Sequence, residues 1–439
     1  MSHLSIFEFD ALVSDDRGVV TEEGVRSVPS RVFDWLEHQG LRQSEAGQAA
    51  WARPVHRKGR RAIQVTSYVG VIRAPDGFQI EVLPKIGKVI DGGIESARRR
   101  LLEMLRCLHG FRHIRTEHAA IKSAHMPLLE VFLSEFLDAA EHTVKRGLRG
   151  EYSLRSENLA ALRGKLSFTD HLRHNLTRRD RFFAEFDEFT PDRPENRLLH
   201  AALRKTLEWT SMQEHQKRSR ELCSLFSAIP VSVHYRLDLS RIRRDRGMEH
   251  YQEALDWARL ILEEESPLTG AGDHNAPSLL FPMETLFEAF VAKHIGRKLG
   301  SPYQLKTQAR SHHLVCHQKS AWFALKPDLL VLEGKQCRMV LDTKWKLLDG
   351  TKQNGTEKYG LSQSDFYQLQ AYGLSYLEGI GDIVLVYPKT AAFQSPLPVF
   401  TFPQCEGLKL WVVPFCLDSK TLVPPANSSF SSILHPAHS

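Results

Sequence analysis

The chain has 439 residues, too many for a single core, and usual domain sizes give two or three domains. Its 42% hydrophobic and 25% charged residues are those of an ordinary soluble protein, and apolar runs such as 410–417 fall far short of a bilayer span, which excludes a membrane role. A net charge of +6 leaves any attraction to phosphate to local concentrations of charge, and the acidic residues of MSHLSIFEFDALVSDD do not fit a secretory signal, so the cytoplasm is the expected compartment.

In chain order, residues 63–72 (IQVTSYVGVI), the turn Ala74-Pro75-Asp76-Gly77 and residues 78–84 predict a hairpin, because β-branched residues flank an Asp-Gly turn. Residues 1–92 are therefore expected to be a strand-rich module. From residue 93 the texture becomes helical. Leu101, Leu102, Leu105 and Leu108 form one stripe, and Leu128, Leu129, Phe132, Leu133 and Phe136 form another. Helical spacing continues through 196–209 and 251–262, so 93–265 is expected to be mainly helical. This region is also basic. Ten lysines and arginines (Lys145, Arg146, Arg149, Arg155, Arg163, Lys165, Arg173, Arg178, Arg179, Arg181) face five acids between 141 and 182. Two shorter runs are Arg98, Arg99, Arg100 and Arg241, Arg243, Arg244, Arg246; the three together point to nucleic acid or a partner surface.

Residues 263–278 (EEESPLTGAGDHNAPS) lack apolar periodicity and are expected to be an exposed connection. Beyond them come a helix over 281–299, strands over 329–332 and 338–343, a helix over 364–377 and a strand over 382–387. That succession predicts an α/β layer over 279–439 and makes the whole chain an α+β multidomain protein. The six cysteines lie far apart with no CxxC pair, against both a disulfide framework and a zinc ribbon. His312, His313, Cys316 and His317 lack a second ligand cluster and are expected to be a solvated turn.

Cleaving a phosphodiester near neutral pH requires a cation, carboxylates to hold it and a group that orients water. In Lys326-Pro327-Asp328-Leu329 one Asp opens a strand, and in Val340-Leu341-Asp342-Thr343-Lys344 a second ends another. Alternation along a strand sends Asp342 and Lys344 to one side and Thr343 to the other. The competing Glu333-Gly334-Lys335 contains a glycine that places it in a turn. Downstream, Gln368 and Tyr372 stand four apart on one helical face, and upstream Glu288 flanks the stripe Met283, Leu286, Phe287, Phe290, Val291.

This arrangement resembles the nucleases of the PD-(D/E)xK superfamily, and the chain as a whole resembles McrC. The likeness lies in Tyr68-Val69-Gly70-Val71-Ile72 with Ile80-Glu81-Val82-Leu83-Pro84, in Leu162-Arg163-Gly164-Lys165-Leu166, in Phe186-Asp187-Glu188-Phe189 through Asn196-Arg197-Leu198-Leu199, and in 327–388. It spans roughly residues 60 to 390. The resemblance implies a DNA endonuclease subunit of a GTP-dependent, 5-methylcytosine-directed restriction system, acting on double-stranded, methylated DNA with an AAA+ GTPase partner, McrB. It implies that Asp328 and Asp342 bind Mg2+, that Lys344 orients water or stabilises the phosphate, and that Gln368, Tyr372 and Glu288 support the site. It implies a stalk in 95–265 that stimulates the GTPase. GTP is expected on the partner, since the chain has no G-x-x-x-x-G-K-[ST] motif. Two other functions fit the same residues: a catalytically silent adaptor of the GTPase, and a repair or defence nuclease that needs no GTPase. Residues before about 60 have no assigned role.

Overall fold

Short strands with β-branched interiors fold the N-terminal stretch into two small sheets, in a computed structural model that describes residues 3–17, 22–45, 51–88, 93–108, 126–243, 247–263, 278–353, 355–425 and 433. This stretch comprises β1 (His3–Phe7), β2 (Ala11–Ser14), β3 (Val25–Val28), α1 (Ser30–Glu45), β4 (Ala52–Arg57), β5 (Arg60–Val65), β6 (Tyr68–Arg73), β7 (Gln79–Leu83) and α2 (Gly93–Leu105). One sheet has the order β3-β2-β5-β4, with Val32, Phe33 and Leu36 of α1 in its core. The expected hairpin is β6 and β7, closed by the Ala74 N–H to Phe78 carbonyl bond of 2.9 Å. Its first strand is shorter than expected. The chain breaks at Thr66 and Ser67, and residues 63–65 belong to β5 in the other sheet. In α2 the leucine stripe is buried, but Arg98 is buried with it and forks onto Glu81 at 2.6 Å, while Arg100 binds Asp418 at 3.0 Å. The run 98–100 is therefore largely committed to ion pairs inside the protein.

Residues Met126–Ser266 form a unit of their own. It contains α3 (Leu128–Arg146), β8 (Glu151–Leu159), β9 (Lys165–Leu166), α4 (Phe168–Asn175), β10 (Phe182–Thr190), α5 (Pro194–Trp209), α6 (Gln213–Leu225), α7 (Tyr235–Ser240) and α8 (Gln252–Glu263). The predicted stripes are its core: Phe132 and Phe136 are buried, and Phe132 meets Trp257 of α8 at 5.8 Å. The helical expectation missed a three-stranded sheet, β8-β10-β9, in which β8 leaves most of its residues in solvent and only Ala184 and Phe186 of β10 are buried.

The buried carboxylate of Glu130 is what ties α3 to the start of α6. It accepts hydrogen bonds from Thr210 Oγ1 (2.7 Å), Ser211 N (2.6 Å), Ser211 Oγ (2.9 Å) and His215 Nδ1 (2.8 Å). Burial alone would raise its pKa, but the bonds from His215, Thr210 and Ser211 outweigh burial and hold it below the ordinary value. Its stabilisation is present above that ordinary value of 4.5 and is lost as pH falls below it. Glu130→Ala is expected to cost about 3 kcal/mol by stranding those donors. Urea unfolding at pH 7 measures this, and an unchanged midpoint would show that the network carries no net stability.

The chain returns through β11 (Ser278–Pro282), α9 (Met283–Gly296), β12 (Tyr303–Thr307), β13 (His312–His317), β14 (Ser320–Leu325), β15 (Leu329–Glu333), β16 (Gln336–Thr343), α10 (Gln363–Tyr376), β17 (Gly381–Pro388), β18 (Phe400–Phe402), β19 (Cys405–Cys416) and β20 (Thr421–Leu422). β11 pairs antiparallel with β6 and completes the sheet β1-β7-β6-β11. Met1–His125 and Pro267–Ser439 accordingly make one unit, so the three expected regions 1–92, 93–265 and 279–439 group by contact into two. Most of the expected connection, 264–277, lies outside the described residues, as do Arg244 and Arg246.

The larger sheet is mixed, ordered β12-β15-β16-β17-β19-β18 with β20 beside β19. β16, β17 and β19 are parallel, and the crossover between the first two is α10. Alternate residues divide the core. Val340, Ile383, Leu385 and Leu410 pack with Leu369, Tyr372 and Tyr376 of α10, whereas Phe415 meets Phe287 and Phe290 of α9 at 6.3 and 5.9 Å. No helix among the described residues is long and apolar enough to cross a membrane.

Candidate active site

The register Leu329↔Leu341 runs antiparallel, so one step further sets Asp328 opposite Asp342 at the end of β16. Asp342 stands at the carboxyl end of β16, where mixed α/β sheets place ligands, and Asp328 stands beside it just before the amino end of the antiparallel β15. Asp342 is 2% exposed, on the side of the sheet that carries Val340 and α10. Lys344 Nζ lies 2.8 Å from Asp342 Oδ2, as the two-residue spacing predicts, and 3.9 Å from Asp365 Oδ1 on α10.

Thr343 departs from expectation. β15 begins only at Leu329, so the Thr343 N–H has run past its neighbour, and Asp328 Oδ2 accepts it at 2.7 Å in place of a main-chain carbonyl. The Thr343 hydroxyl donates to the same oxygen at 2.7 Å, so this side chain belongs to the site instead of turning away. Of Glu333-Gly334-Lys335, Gly334 and Lys335 form the turn between β15 and β16, with Gly334 at φ 62°, and Glu333 ends β15.

Charge crowding shapes the titration. Burial and the neighbouring Asp328 raise Asp342 to about 7, against the lowering pull of Lys344. Burial also raises Glu288 to about 7, with Asp328 and Asp342 adding to it, although Gln308 Nε2 donates to Glu288 at 3.1 Å. Glu288 is thus within electrostatic reach of both aspartates. Burial pulls the Lys344 ammonium down, but Asp342, Asp365 and Asp328 outweigh it and hold its pKa above the ordinary value.

Gln368 and Tyr372 sit one helical turn apart and bond to each other, Gln368 Nε2 donating to the Tyr372 hydroxyl at 2.6 Å. That hydroxyl donates in turn to the Lys326 carbonyl at 3.0 Å, which fixes the chain two residues before Asp328. Gln368 itself is exposed. Sequence reasoning gave no role to Asp365 or Gln308, or to Glu8, whose buried carboxylate accepts the Trp345 indole N–H at 2.9 Å and so anchors the residue after Lys344. Nothing local marks Glu8, since its partner is 337 residues away.

Among the described residues, no group of three or more His, Cys, Asp or Glu that could hold a metal is assembled. Two adjacent carboxylates nevertheless suit a hard cation such as Mg2+, which takes one or two protein carboxylates and keeps the remainder of its shell in water or substrate oxygen. Asp342 Oδ2 supports that fit: it is buried, and no donor is aligned on it, Lys344 approaching off the hydrogen-bonding direction.

A family model, McrBC 5-methylcytosine restriction system component, matches residues 63–388. The chain belongs to that family. The span agrees with the likeness to McrC read from the sequence, and the expected kinship is borne out. Among solved structures, this McrBC-family chain is similar to a chain of the refined half-complex from a tetradecameric assembly of Thermococcus gammatolerans McrB AAA+ hexamers with bound McrC. The TM-score is 0.67 at 19% identity, covering 99% of this chain and 98% of the other. A second similarity is to the cryo-EM structure of the Thermococcus gammatolerans McrBC complex, with a TM-score of 0.50 at 21% identity over 68% of this chain and 89% of the other. A comparison with curated proteins finds no match.

Proposed function

We propose that this McrBC-family chain is the DNA-cleaving subunit of a restriction complex, that residues 279–439 act as a PD-(D/E)xK endonuclease, and that an AAA+ GTPase of the McrB kind is its partner. The observation that carries the cleavage reading is the meeting of Asp328, Asp342 and Lys344 at one strand end. Asp328 and Asp342 would hold Mg2+, with Glu288 as a further carboxylate. Bound there, the ion supplies positive charge against the charge that develops on the phosphate. Lys344 keeps its proton on Nζ and donates to a phosphate oxygen or to the attacking water. Asp365 steadies that ammonium, Thr343 fixes Asp328, and Tyr372 with Gln368 holds the strand that Asp328 opens.

The partner assignment rests on the named neighbours and on the surface of the unit Met126–Ser266. All ten basic residues counted between 141 and 182 are exposed there. Tyr152, Leu154, Phe168, Leu176 and Phe189 are exposed among them, an apolar and cationic combination that suits a protein surface. Recognition of methylated DNA would belong to the partner.

The test is cleavage of methylated and unmethylated plasmid by the purified chain together with an AAA+ GTPase of the McrB kind, GTP and Mg2+. Lys344→Ala is expected to lower the cleavage rate by about 10²–10³-fold, the usual loss for one stabilising donor, while GTP turnover stays stimulated. A wild-type chain that stimulates GTP hydrolysis but leaves every plasmid intact would make the protein an adaptor. Cutting without the partner or GTP would make it an independent nuclease.

A further inference from the structure

The hairpin β13–β14 has no place in the site, and its composition is unusual. Between Glu288 and Asp328 the chain carries no acidic residue and seven lysines and arginines, three of which, Arg310, Lys319 and Lys326, belong to the hairpin or its stems. The hairpin pairs with no other strand among those described, and all its residues from 312 to 324 are exposed. Its turn residues Gln318 and Lys319 have φ of 47° and 66°, matching the twist of a two-residue turn. The expected solvated turn at 312–317 is thus a strand. Its histidines and cysteine form no metal site, although His313 Nε2 approaches Cys316 Sγ at 2.8 Å.

An isolated two-stranded hairpin is marginal in water, and this one exposes Trp322 at 48% and Phe323 at 67%, their rings 6.4 Å apart and nearly perpendicular. Phe323 also has φ of 58°, a conformation that costs a bulky residue energy and so asks for a reason. The base of the hairpin is fixed. Leu325 is buried, its carbonyl accepts the Tyr376 hydroxyl at 3.2 Å, and the His312 ring meets that of Tyr376 at 4.4 Å. Its two stems run into Gln308, which binds Glu288, and Asp328, and the Gln308 N–H donates to the Asp328 carbonyl at 2.8 Å.

We infer that β13–β14 is a DNA-gripping ribbon that enters a groove of the duplex beside the scissile phosphate, with Lys319 at its turn and Arg310 at its base on the backbone and Trp322 and Phe323 of its second strand as the apolar contacts. This rests on the reading of Asp328, Asp342 and Lys344 as the cleavage site. The dimensions fit, since a two-stranded ribbon is accommodated by the major groove and apolar side chains wedge into base steps from the minor one. Charge selects the occupant. A second copy of the chain meeting this face across a twofold axis would set cation against cation, whereas a polyanion is complementary to an acid-free segment.

The test is duplex binding by the full-length chain in the Asp342→Asn background with Ca2+, followed by fluorescence anisotropy over a range of salt. The double substitution Trp322→Ala, Phe323→Ala is expected to raise Kd about tenfold or more, and Lys319→Gln to lower the slope of log K against log salt by about 0.9. Both change only exposed positions, and circular dichroism verifies that the fold is kept. Affinity and salt slope equal to the parent, or a full-length chain with no affinity for duplex DNA, would overturn the inference. So would sedimentation showing a dimer that the double substitution dissociates while DNA affinity stays constant, since that makes Trp322 and Phe323 a contact between copies. Binding is read without cutting, so a chain whose hairpin variants lose DNA but whose wild type never cleaves would sink the nuclease reading and leave the ribbon standing.

Discussion

Asp342→Asn is expected to abolish DNA cleavage and, in EDTA at neutral pH, to make the chain more resistant to heat than the wild type. The two effects have one cause. Asp342 is buried beside Asp328, so its carboxyl keeps a proton up to about 7 in the folded chain, against an ordinary value of 3.8. Below 3.8 both folded and unfolded chains are protonated and the residue is neutral to stability. Between 3.8 and 7 the unfolded chain gains by releasing the proton that the folded one retains, and stability falls; above 7 the loss is complete. Asparagine keeps the shape of the protonated acid and removes that penalty. A gain of about 1 kcal/mol already moves the unfolding temperature of a unit this size by roughly 2 °C.

The same reasoning predicts the effect of metal. A cation held by Asp328 and Asp342 binds the folded chain alone and stabilises it by mass action. Mg2+ should therefore raise the unfolding temperature of the wild type and have little effect on Asp342→Asn, and chelation should reverse the rise. Differential scanning calorimetry with Mg2+ and with EDTA decides it. Equal responses of the two proteins to Mg2+ would mean that the cation binds elsewhere, and the metal-assisted mechanism would lose its ligand.

What could be read from the sequence follows the period of the elements that carry it. Asp342 and Lys344 were legible because a strand repeats every two residues, and Gln368 and Tyr372 because a helix brings residues four apart together. The leucine and phenylalanine stripes of α2, α3, α5 and α9 were legible for the same reason. The part of Thr343 was missed because β15 begins only at Leu329, which frees the Asp328 carboxylate to accept the Thr343 N–H and hydroxyl, a contact that alternation along β16 does not reveal. The strands β8, β13 and β14 were hidden because most of their residues face solvent, so no apolar alternation is written into them. Pairings between distant segments, Glu8 with Trp345 and β6 with β11, leave no local trace at all.

That last pairing carries the second large effect. Gly70 lies in β6 opposite Leu280 of β11 with φ of +131°, and a Cβ built on it would stand 1.9 Å from the Leu279 carbonyl oxygen and 3.3 Å from Leu280 Cα. These are backbone atoms and cannot rotate aside, so Gly70→Ala must push β11 away from β6. It is expected to cost about 4 kcal/mol or more, at the extreme of single substitutions. Gly59, in the turn between β4 and β5, is the control: its φ is +75° but nothing lies within 4 Å, so Gly59→Ala incurs only the backbone strain of about 1–2 kcal/mol. The damage at Gly70 should reach the site as well, because β11 leads directly into α9, whose first turn is fixed by the Met283 N–H on the Ser67 carbonyl at 3.0 Å and by Ser67 Oγ on Glu284 at 2.5 Å. Losing that alignment shifts Glu288, one turn further along. Urea unfolding of both variants, with Mg2+ response as the readout of the site, tests the chain of argument: a Gly70→Ala protein as stable as Gly59→Ala would show that β6 and β11 separate without cost and that the N-terminal sheet does not set the position of α9.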